Sequence, residues 1–566
     1  KKKEIIKILG FINNFTKISI SEEKINNCIN TTTFENMKNM EEKGFFEEQA
    51  IDEKTGKKIN FFHKGKNNQW KDFLDTSTIK KIEENSMTYP KRHTKIVATI
   101  GPASSSEEKI QKLLREGVNV FRLNFSHGVY STHAAVVGHI RAAEKMYGTP
   151  VAILADLQGP KLRVGKFLNE AVHLKRGQLF ELDLLEDLGT MKRVQFPHAN
   201  LYGFIHPGDK LLLDDGKIKL MVVESTATKI VTKVEISGKI SNHKGVNIPD
   251  TVLPISPLTN KDKSDLSKAL NMGVDWVALS FVQSAQNVQE LKNIVENKAL
   301  IMAKIEKPSA VKNIKEIIEE ADGIMIARGD LGVELPPENV PSIQKRIIND
   351  CREDGKPVVV ATQMLESMIN NPTPTRAEAS DVANAIYDGS DAVMLSGESA
   401  IGKYPVETVT IMNKIIESVE KDKENYNITV HEEINSSKKI NTSDAITSAA
   451  YTISQNAGAK AIITFSVSGR TTSSMSKERA PVQIIGISPN INTARKLQIM
   501  WGVHSCHNQD AHDTKEMVSI ACSVAKDKKI AMPGDPVIIT AGVPFGHAGS
   551  TNLLRIAKII ADKDLT

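Results

Sequence analysis

Eight short apolar runs, each rich in β-branched or small residues and each followed by a longer helical period, constrain this chain more than any other feature. They are KIVATI (95–100), VNVFRLNF (118–125), PVAILAD (150–156), DWVALSF (275–281), ALIMAKIE (299–306), DGIMIAR (322–328), PVVVATQ (357–363) and DAVMLS (391–396). Strands alternating with helices build parallel sheets, and eight is the number that closes one on itself, so the pattern predicts a (β/α)8 barrel of the TIM type. The intervening segments carry helix starts: Ser104 with Glu107 is spaced as a capping box before KIQKLL, and Pro308 opens PSAVKNIKEIIEEA.

One interval breaks the rhythm. Between the third and fourth runs lie about 118 residues, in which LFELDL, KLLLDD, KLMVVES and KIVTKVEIS alternate as strands between Gly-Asp and Asp-Gly turns. A small inserted β domain on the barrel rim, placed to act as a lid, is the expectation. Beyond a charged, Asn-rich linker (KDKENYNITVHEEINSSKK), the runs AIITFSV, VQIIGIS, GVHSCH and PVIITAG with their helices predict a separate α/β domain. The expected organisation is an extension at 1–88, barrel at 89–160 and 257–423, insert at 161–256, and C-terminal domain at 424–566. The extension holds 16 Lys, no Arg and about 14 acidic residues, which suits a solvated segment with short helices near 3–15 and 77–85. It opens KKKEII without Met, so a start further upstream is expected.

Composition excludes several classes. No apolar run reaches the roughly 18 residues of a membrane span. Seventy-three Lys plus Arg against 68 Asp plus Glu leave +5 over 566 residues, which gives no ground for a nucleic-acid partner. Cys28, Cys351, Cys506 and Cys522 form no C-x-x-C pair and read as buried hydrophobes, not as a zinc site or disulfide framework.

In such a barrel the chemistry sits where strands end and βα loops begin. The polar residues there are Arg122, Asn124, Ser126 and His127; Asp156; Ser280; Lys304 and Glu306; Arg328 and Asp330; Thr362; Ser396 and Glu398. Lys304 and Glu306, two apart on a strand, point to one face. Glu306 and Asp330 close neighbouring strands, and two facing carboxylates suit Mg2+, which also takes waters and substrate oxygens. Gly329, in ARGDLG, is expected to leave backbone N–H groups for a phosphate or carboxylate. Arg122 ends an apolar strand and needs an anion, with Asp156 a candidate partner. In the last domain, AIITFSVSGRTTSSM sets strand, Ser/Gly/Arg turn and helix start in the order that favours phosphate, and GVPFGHAGSTN is placed to close over the same ligand.

FRLNFSHG, DLQGPKLRVG, KGVNIP, MAKIE, ARGDLGVELP, ATQMLESM and VMLSGESA, in this order and spacing, resemble the pyruvate kinase family from about residue 90 to the end. The resemblance implies phosphoryl transfer from phosphoenolpyruvate to ADP by a homotetramer. It implies Glu306 and Asp330 as ligands of Mg2+ or Mn2+, and Lys304, Thr362 and Arg122 as the catalytic set. Substrate would meet Arg122, Lys304, Gly329, Asp330, Thr362 and Ser280, and nucleotide Asn124, His127, Arg163 and Lys244. A monovalent-cation site, or its lysine substitute, would involve Asn124, Ser126, Asp156, Leu157 and Lys161. Many members have Asp-Thr-Lys-Gly-Pro-Glu where this chain has Asp156-Leu157-Gln158-Gly159-Pro160-Lys161, and members with Lys at the last position usually dispense with K+. Ser466, Ser468, Gly469, Arg470 and Thr471 match the family's effector-phosphate loop, for a sugar phosphate or AMP. The GVPFGHAGSTN ending is similar to bacterial and plastid members, which with the extension favours a plastid-like organelle over the cytoplasm. Two rivals are a metal-dependent aldolase on the same barrel, which needs no lid lysine, and a catalytically silent subunit binding sugar phosphate, which would have lost Lys304, Glu306, Asp330 or Thr362.

Overall fold

The computed structural model describes residues 92–249, 251–422, 442–544 and 551–559; the expected helices at 3–15 and 77–85, the linker across 423–441 and the loop 545–550 lie outside these. All eight predicted runs are strands: β1 (Lys95–Ile100), β2 (Val120–Asn124), β3 (Ala152–Asp156), β12 (Trp276–Leu279), β13 (Leu300–Ile305), β14 (Gly323–Ala327), β15 (Val358–Ala361) and β16 (Ala392–Leu395). They close in the order β1-β16-β15-β14-β13-β12-β3-β2, every pair parallel. Helices cover the outside and side chains fill the inside, so both faces are buried and the strands read as near-continuous apolar runs. Val97, Leu154, Trp276, Met302, Met325 and Val359 belong to the interior cluster.

Two helix starts differ from expectation. Ser106, not Ser104, caps the first helix (Glu107–Arg115), its hydroxyl accepting from the Lys109 N–H, while the Ser104 hydroxyl accepts from Gly101 in the preceding turn. The segment opened by Pro308 is two helices, Pro308–Lys312 and Ile314–Glu320, parted at Asn313, whose side chain donates to the Gln283 carbonyl.

The insert is all-β. Its strands are β4 (Ala171–Leu174), β5 (Leu179–Asp183), β6 (Arg193–Gln195), β7 (Lys210–Leu213), β8 (Ile218–Ser225), β9 (Lys229–Ile236), β10 (Gly238–Ser241) and β11 (Val246–Asn247). They hydrogen-bond as a six-stranded sheet, β11-β7-β8-β9-β5-β6, and a two-stranded one, β10-β4. Both sheets cover one core that includes Phe180, Phe196, Leu201, Ile218, Ile230 and Ile240; where a small β-barrel lid was expected, the ladder is open.

The C-terminal sheet runs β19-β18-β17-β20-β21, from β17 (Ala461–Phe465), β18 (Gln483–Ser488), β19 (Val503–His507), β20 (Pro536–Ala541) and β21 (Leu553–Lys558). The first four are parallel, and β21 is an antiparallel edge strand that the sequence reading lacks. Cys351, Cys506 and Cys522 are buried and unbridged, as expected. Among the described residues no helix is long and apolar enough to cross a membrane.

This domain grips the N-terminal end of the barrel, opposite the mouth. Arg479 reaches Asp391, just before β16, with Nη1 and Nη2 donating to the two carboxylate oxygens at 2.9 and 3.1 Å, and its guanidinium lies 4.9 Å from the Trp501 ring centre. Removing one member of a buried ion pair strands the other. Arg479→Met should therefore cost about 3–5 kcal/mol of stability, read as a lower urea midpoint; an unchanged midpoint would refute the pair's structural importance.

Candidate active site

Lys304 is the centre of the barrel mouth. It projects from β13 with only 9% of its surface exposed, and its Nζ lies 2.9 Å from Glu306 Oε1 and 3.2 Å from Asp156 Oδ1. Nζ also donates to the Ser280 hydroxyl at 2.7 Å, and that hydroxyl donates on to the Leu157 carbonyl at 2.7 Å. Burial alone would drive the ammonium toward neutrality. The carboxylates of Asp156 and Glu306 outweigh it and hold the Lys304 pKa above the ordinary lysine value, so the group is a fixed positive charge.

Asp156 is shared. Arg122 Nε donates to its Oδ2 at 2.7 Å, as the sequence suggested, and Arg122 Nη1 donates to Thr99 at 2.9 Å. Burial raises the Asp156 carboxyl, but Lys304 and Arg122 together bring it below the usual range. Two cations and one deeply buried anion thus form one connected charge cluster at the ends of β2, β3 and β13.

Glu306 follows β13, and its Oε2 accepts from the Phe281 N–H at 2.8 Å. Burial raises its pKa, Lys304 opposes this, and the negative charge of Asp330 raises it further. Glu306 and Asp330 therefore repel each other across the paired strands β13 and β14, a tension that a bound cation relieves. Among the described residues no group of three or more His, Cys, Asp or Glu is gathered for a metal. Two carboxylates fit Mg2+, which keeps waters and substrate oxygens as its remaining ligands. Asp330 also lines a narrow cleft between barrel and insert, with Lys161, Asp215, Asn247, Phe281 and Lys307 on its walls.

Thr362 follows β15 in a left-handed conformation, φ 73°, and Gln363 continues it at φ 57°. For a β-branched residue this is strained by about 1–3 kcal/mol and persists only where surroundings enforce it. The Thr362 hydroxyl accepts from the Gly329 N–H at 2.7 Å and donates to the Ala361 carbonyl at 2.6 Å. The Gly329 N–H that the sequence reading left open for an anion is thus engaged by Thr362. Phe281 is likewise left-handed, φ 57°, and a Cβ on Gly159 would come within 2.6 Å of its ring, which is why the turn after β3 takes glycine.

Other expected contacts sit differently. Ser280, expected to meet substrate, accepts from Lys304 and donates to the Leu157 carbonyl through its hydroxyl. Lys244 pairs with Asp214 inside the insert at 2.7 Å, and Arg163 Nη1 donates to the His243 carbonyl at 2.8 Å. His127 is exposed on the loop after β2, where Asn124 Oδ1 accepts from the Ser126 N–H at 3.1 Å. Lys161 is exposed, its stem 3.7 Å from where a Gly245 Cβ would stand. Glu398 bridges loops, accepting from the Leu365 and Ser396 N–H groups at 3.2 and 2.7 Å. Four further residues join the site that no sequence signal singles out. Asp381 holds Arg328, and Lys307 and Asn247 donate to Glu334 at 2.5 and 2.8 Å, tying the insert to the helix Arg328–Glu334 that carries Asp330.

In the C-terminal domain, Ser466, Ser468, Gly469, Arg470 and Thr471 form one turn leading into the helix Arg470–Lys477. Gly469, φ 87°, donates its N–H to the Ser466 hydroxyl at 2.9 Å, and the Thr471 and Thr551 hydroxyls meet at 2.6 Å.

Residues 91–409 match the family model described as pyruvate kinase, barrel domain, and residues 444–557 the one described as pyruvate kinase, alpha/beta domain. A pyruvate kinase of Methylorubrum extorquens is 48% identical over 466 residues, spanning 82% of this chain and 97% of that protein. Pyruvate kinase 2 of Synechocystis is 43% identical over 483 residues, spanning 83% and 80%. The crystal structure of a pyruvate kinase from Cryptosporidium parvum superposes with a TM-score of 0.79 at 36% identity, covering 83% of this chain and 96% of that one. The barrel, its charged mouth and these matches together place the chain in the pyruvate kinase family.

Proposed function

We propose that the barrel mouth transfers the phosphoryl group of phosphoenolpyruvate to ADP, giving ATP and, after protonation of the enolate, pyruvate. The observation that carries this reading is the buried ammonium of Lys304 between Asp156 and Glu306, with Asp330 on the next strand. Both substrates are polyanions, so the work is positioning and charge neutralisation around an in-line transfer. Arg122 binds the phosphoryl oxygens. Lys304 faces the bridging oxygen; as the P–O bond breaks, negative charge gathers there and a preorganised ammonium stabilises it more than it stabilised the ground state. Glu306 and Asp330 would hold a divalent cation, Mg2+ or Mn2+, which would supply further positive charge to the polyanionic substrates. Thr362 orders the water or relay that delivers a proton to the enolate carbon, since its own hydroxyl is too weak an acid to act alone. Asn124, His127, Arg163 and Lys244 would meet the nucleotide once the insert closes.

Further parts of this reading are a homotetramer and regulation by a sugar phosphate or AMP at Ser466–Thr471. K+ independence rests on Leu157 and Lys161. Leu157 brings no side-chain oxygen, its carbonyl already accepts from Ser280, and Lys161, exposed on the turn after β3, brings a charge of its own. A coupled assay for pyruvate from phosphoenolpyruvate and ADP tests the whole. Turnover should require Mg2+ or Mn2+, change little when K+ is replaced by tetramethylammonium, and respond to one member of a panel of sugar phosphates and AMP. No pyruvate from the folded chain would defeat the assignment, and a several-fold loss without K+ would defeat the K+ reading alone.

A further inference from the structure

We infer that the Arg328–Asp381 pair is a positioning device that sets the conformation of Thr362 and thereby controls proton delivery to the enolate carbon; this rests on the function proposed above. Arg328 is the first residue after β14, and β14 pairs with β15 so that Ala327 stands opposite Ala361. The two residues that follow β14 hold the one that follows β15. Arg328 Nη2 donates to the Thr362 carbonyl at 2.8 Å, while the Gly329 N–H donates to the Thr362 hydroxyl at 2.7 Å. One strand end thus grips both the backbone and the side chain of a residue in the left-handed region, and Gln363 beyond it is left-handed too.

The guanidinium is itself fixed. Nη1 and Nη2 donate to the two oxygens of Asp381 at 2.7 Å each, from the helix Arg376–Tyr387 that packs outside the barrel, and Nη2 also contacts Met364 Sδ at 2.8 Å. The fork leaves the Nη2 edge directed at the Thr362 carbonyl. A lysine has a single donor head and cannot hold the carboxylate in two places while reaching the carbonyl. Neither Arg328 nor Asp381 bonds to Lys304, Glu306 or Asp156, so the pair acts on the Thr362 side of the mouth and not on the phosphoryl side.

Arg328→Lys and Asp381→Asn test this, with melting temperatures recorded for both. Exchange of the methyl hydrogens of pyruvate with solvent deuterium, followed by NMR, reads proton transfer at carbon without phosphoryl transfer. Arg328→Lys should slow exchange and turnover on the order of 10²-fold, the size expected when a reacting group is displaced by about 1 Å. The KM for phosphoenolpyruvate should stay near the parent value, and Asp381→Asn should fall in the same direction. In a Thr362→Ala background, adding Arg328→Lys should bring little further loss, because the residue through which it acts is gone. Parent-like exchange in both folded variants, or an undiminished effect of Arg328→Lys in the Thr362→Ala background, would overturn the inference. If Arg328→Lys does not fold, Asp381→Asn decides by the same readouts. A parent chain that makes no pyruvate defeats the proposed function itself, an outcome separable from an active parent with indifferent variants.

Discussion

Lys304→Met should lower turnover by roughly 10²–10³-fold or more, the range found when a single preorganised donor to a developing oxyanion is removed. Methionine fills a similar volume, so the change isolates the charge. In the parent, the ammonium offsets two buried carboxylates and, in the proposed mechanism, faces the oxygen that becomes an enolate. Without it, Glu306 faces Asp330 with nothing opposing the repulsion, and Asp156 retains Arg122 as its cation. Breaking a buried pair by removing one partner costs about 3–5 kcal/mol, so the variant should also unfold at lower urea.

The pH dependence of that loss has a definite sign. Burial and Asp330 already raise the folded-state pKa of Glu306, and the lysine is what opposes them. In the variant the shift grows, so Glu306 holds a proton in the folded state at pH values where the unfolded chain has released it. A raised carboxyl pKa contributes stability that is present below the unfolded value and lost as pH rises through the folded value. The stability deficit of Lys304→Met should therefore be full above the raised value and shrink as pH falls toward 4.5, the ordinary glutamate value. Urea midpoints measured from neutral to mildly acidic pH check this. Turnover within tenfold of the parent would remove Lys304 from the mechanism, and a deficit independent of pH would remove the account of Glu306.

What the sequence made legible, and what it did not, follows from how local each signal is. The strands of the barrel announce themselves because both faces are covered: β1, β3 and β14 are buried at every position. The pairing of Lys304 with Glu306 follows from the two-residue period of a strand, and that of Arg122 with Asp156 from the cost of an uncompensated charge at an apolar strand end. The insert is harder. β6 and β11 have three and two residues, too few for alternation to register, and β4 and β10 pair only with each other at its margin. β21 escaped because its exposed face breaks the apolar run.

The site was illegible where backbone geometry decides. No propensity predicts Thr362 at φ 73°, because β-branched residues avoid that region; only the grip of Arg328 and Gly329 enforces it. Asp381 looks like any polar position on a helix, and its meaning appears only when β14 and β15 are set side by side. Lys244 has the opposite problem. Its motif predicts a nucleotide contact, yet Asp214, on the turn after β7, takes the ammonium here. A hydrogen-bond donor can be named from sequence, but the acceptor it meets is chosen by the fold.

Asp330→Asn should weaken divalent-cation binding at the mouth by more than the 10–100-fold that loss of an outer-shell partner brings, because it removes one of only two carboxylates. The substitution preserves shape and hydrogen-bonding capacity while halving the negative charge. Two opposite consequences follow. Without metal, Glu306 loses the neighbour that raises its pKa, so repulsion across β13 and β14 is relieved and the metal-free variant should be as stable as the parent, or more so. With metal, Glu306 alone must hold the cation beside the ammonium of Lys304 at 2.9 Å, a poor arrangement for a divalent ion. Mn2+ binding followed by the electron paramagnetic resonance signal of the free ion measures the first-order effect without reference to turnover. Urea midpoints at rising Mg2+ measure the second: the parent should gain stability with metal, as any ligand that binds only the folded state confers, and the variant should gain little at the same concentrations. Parent-like Mn2+ affinity in Asp330→Asn would show that the cation is held elsewhere, and the pair of strand-end acids would then need another explanation.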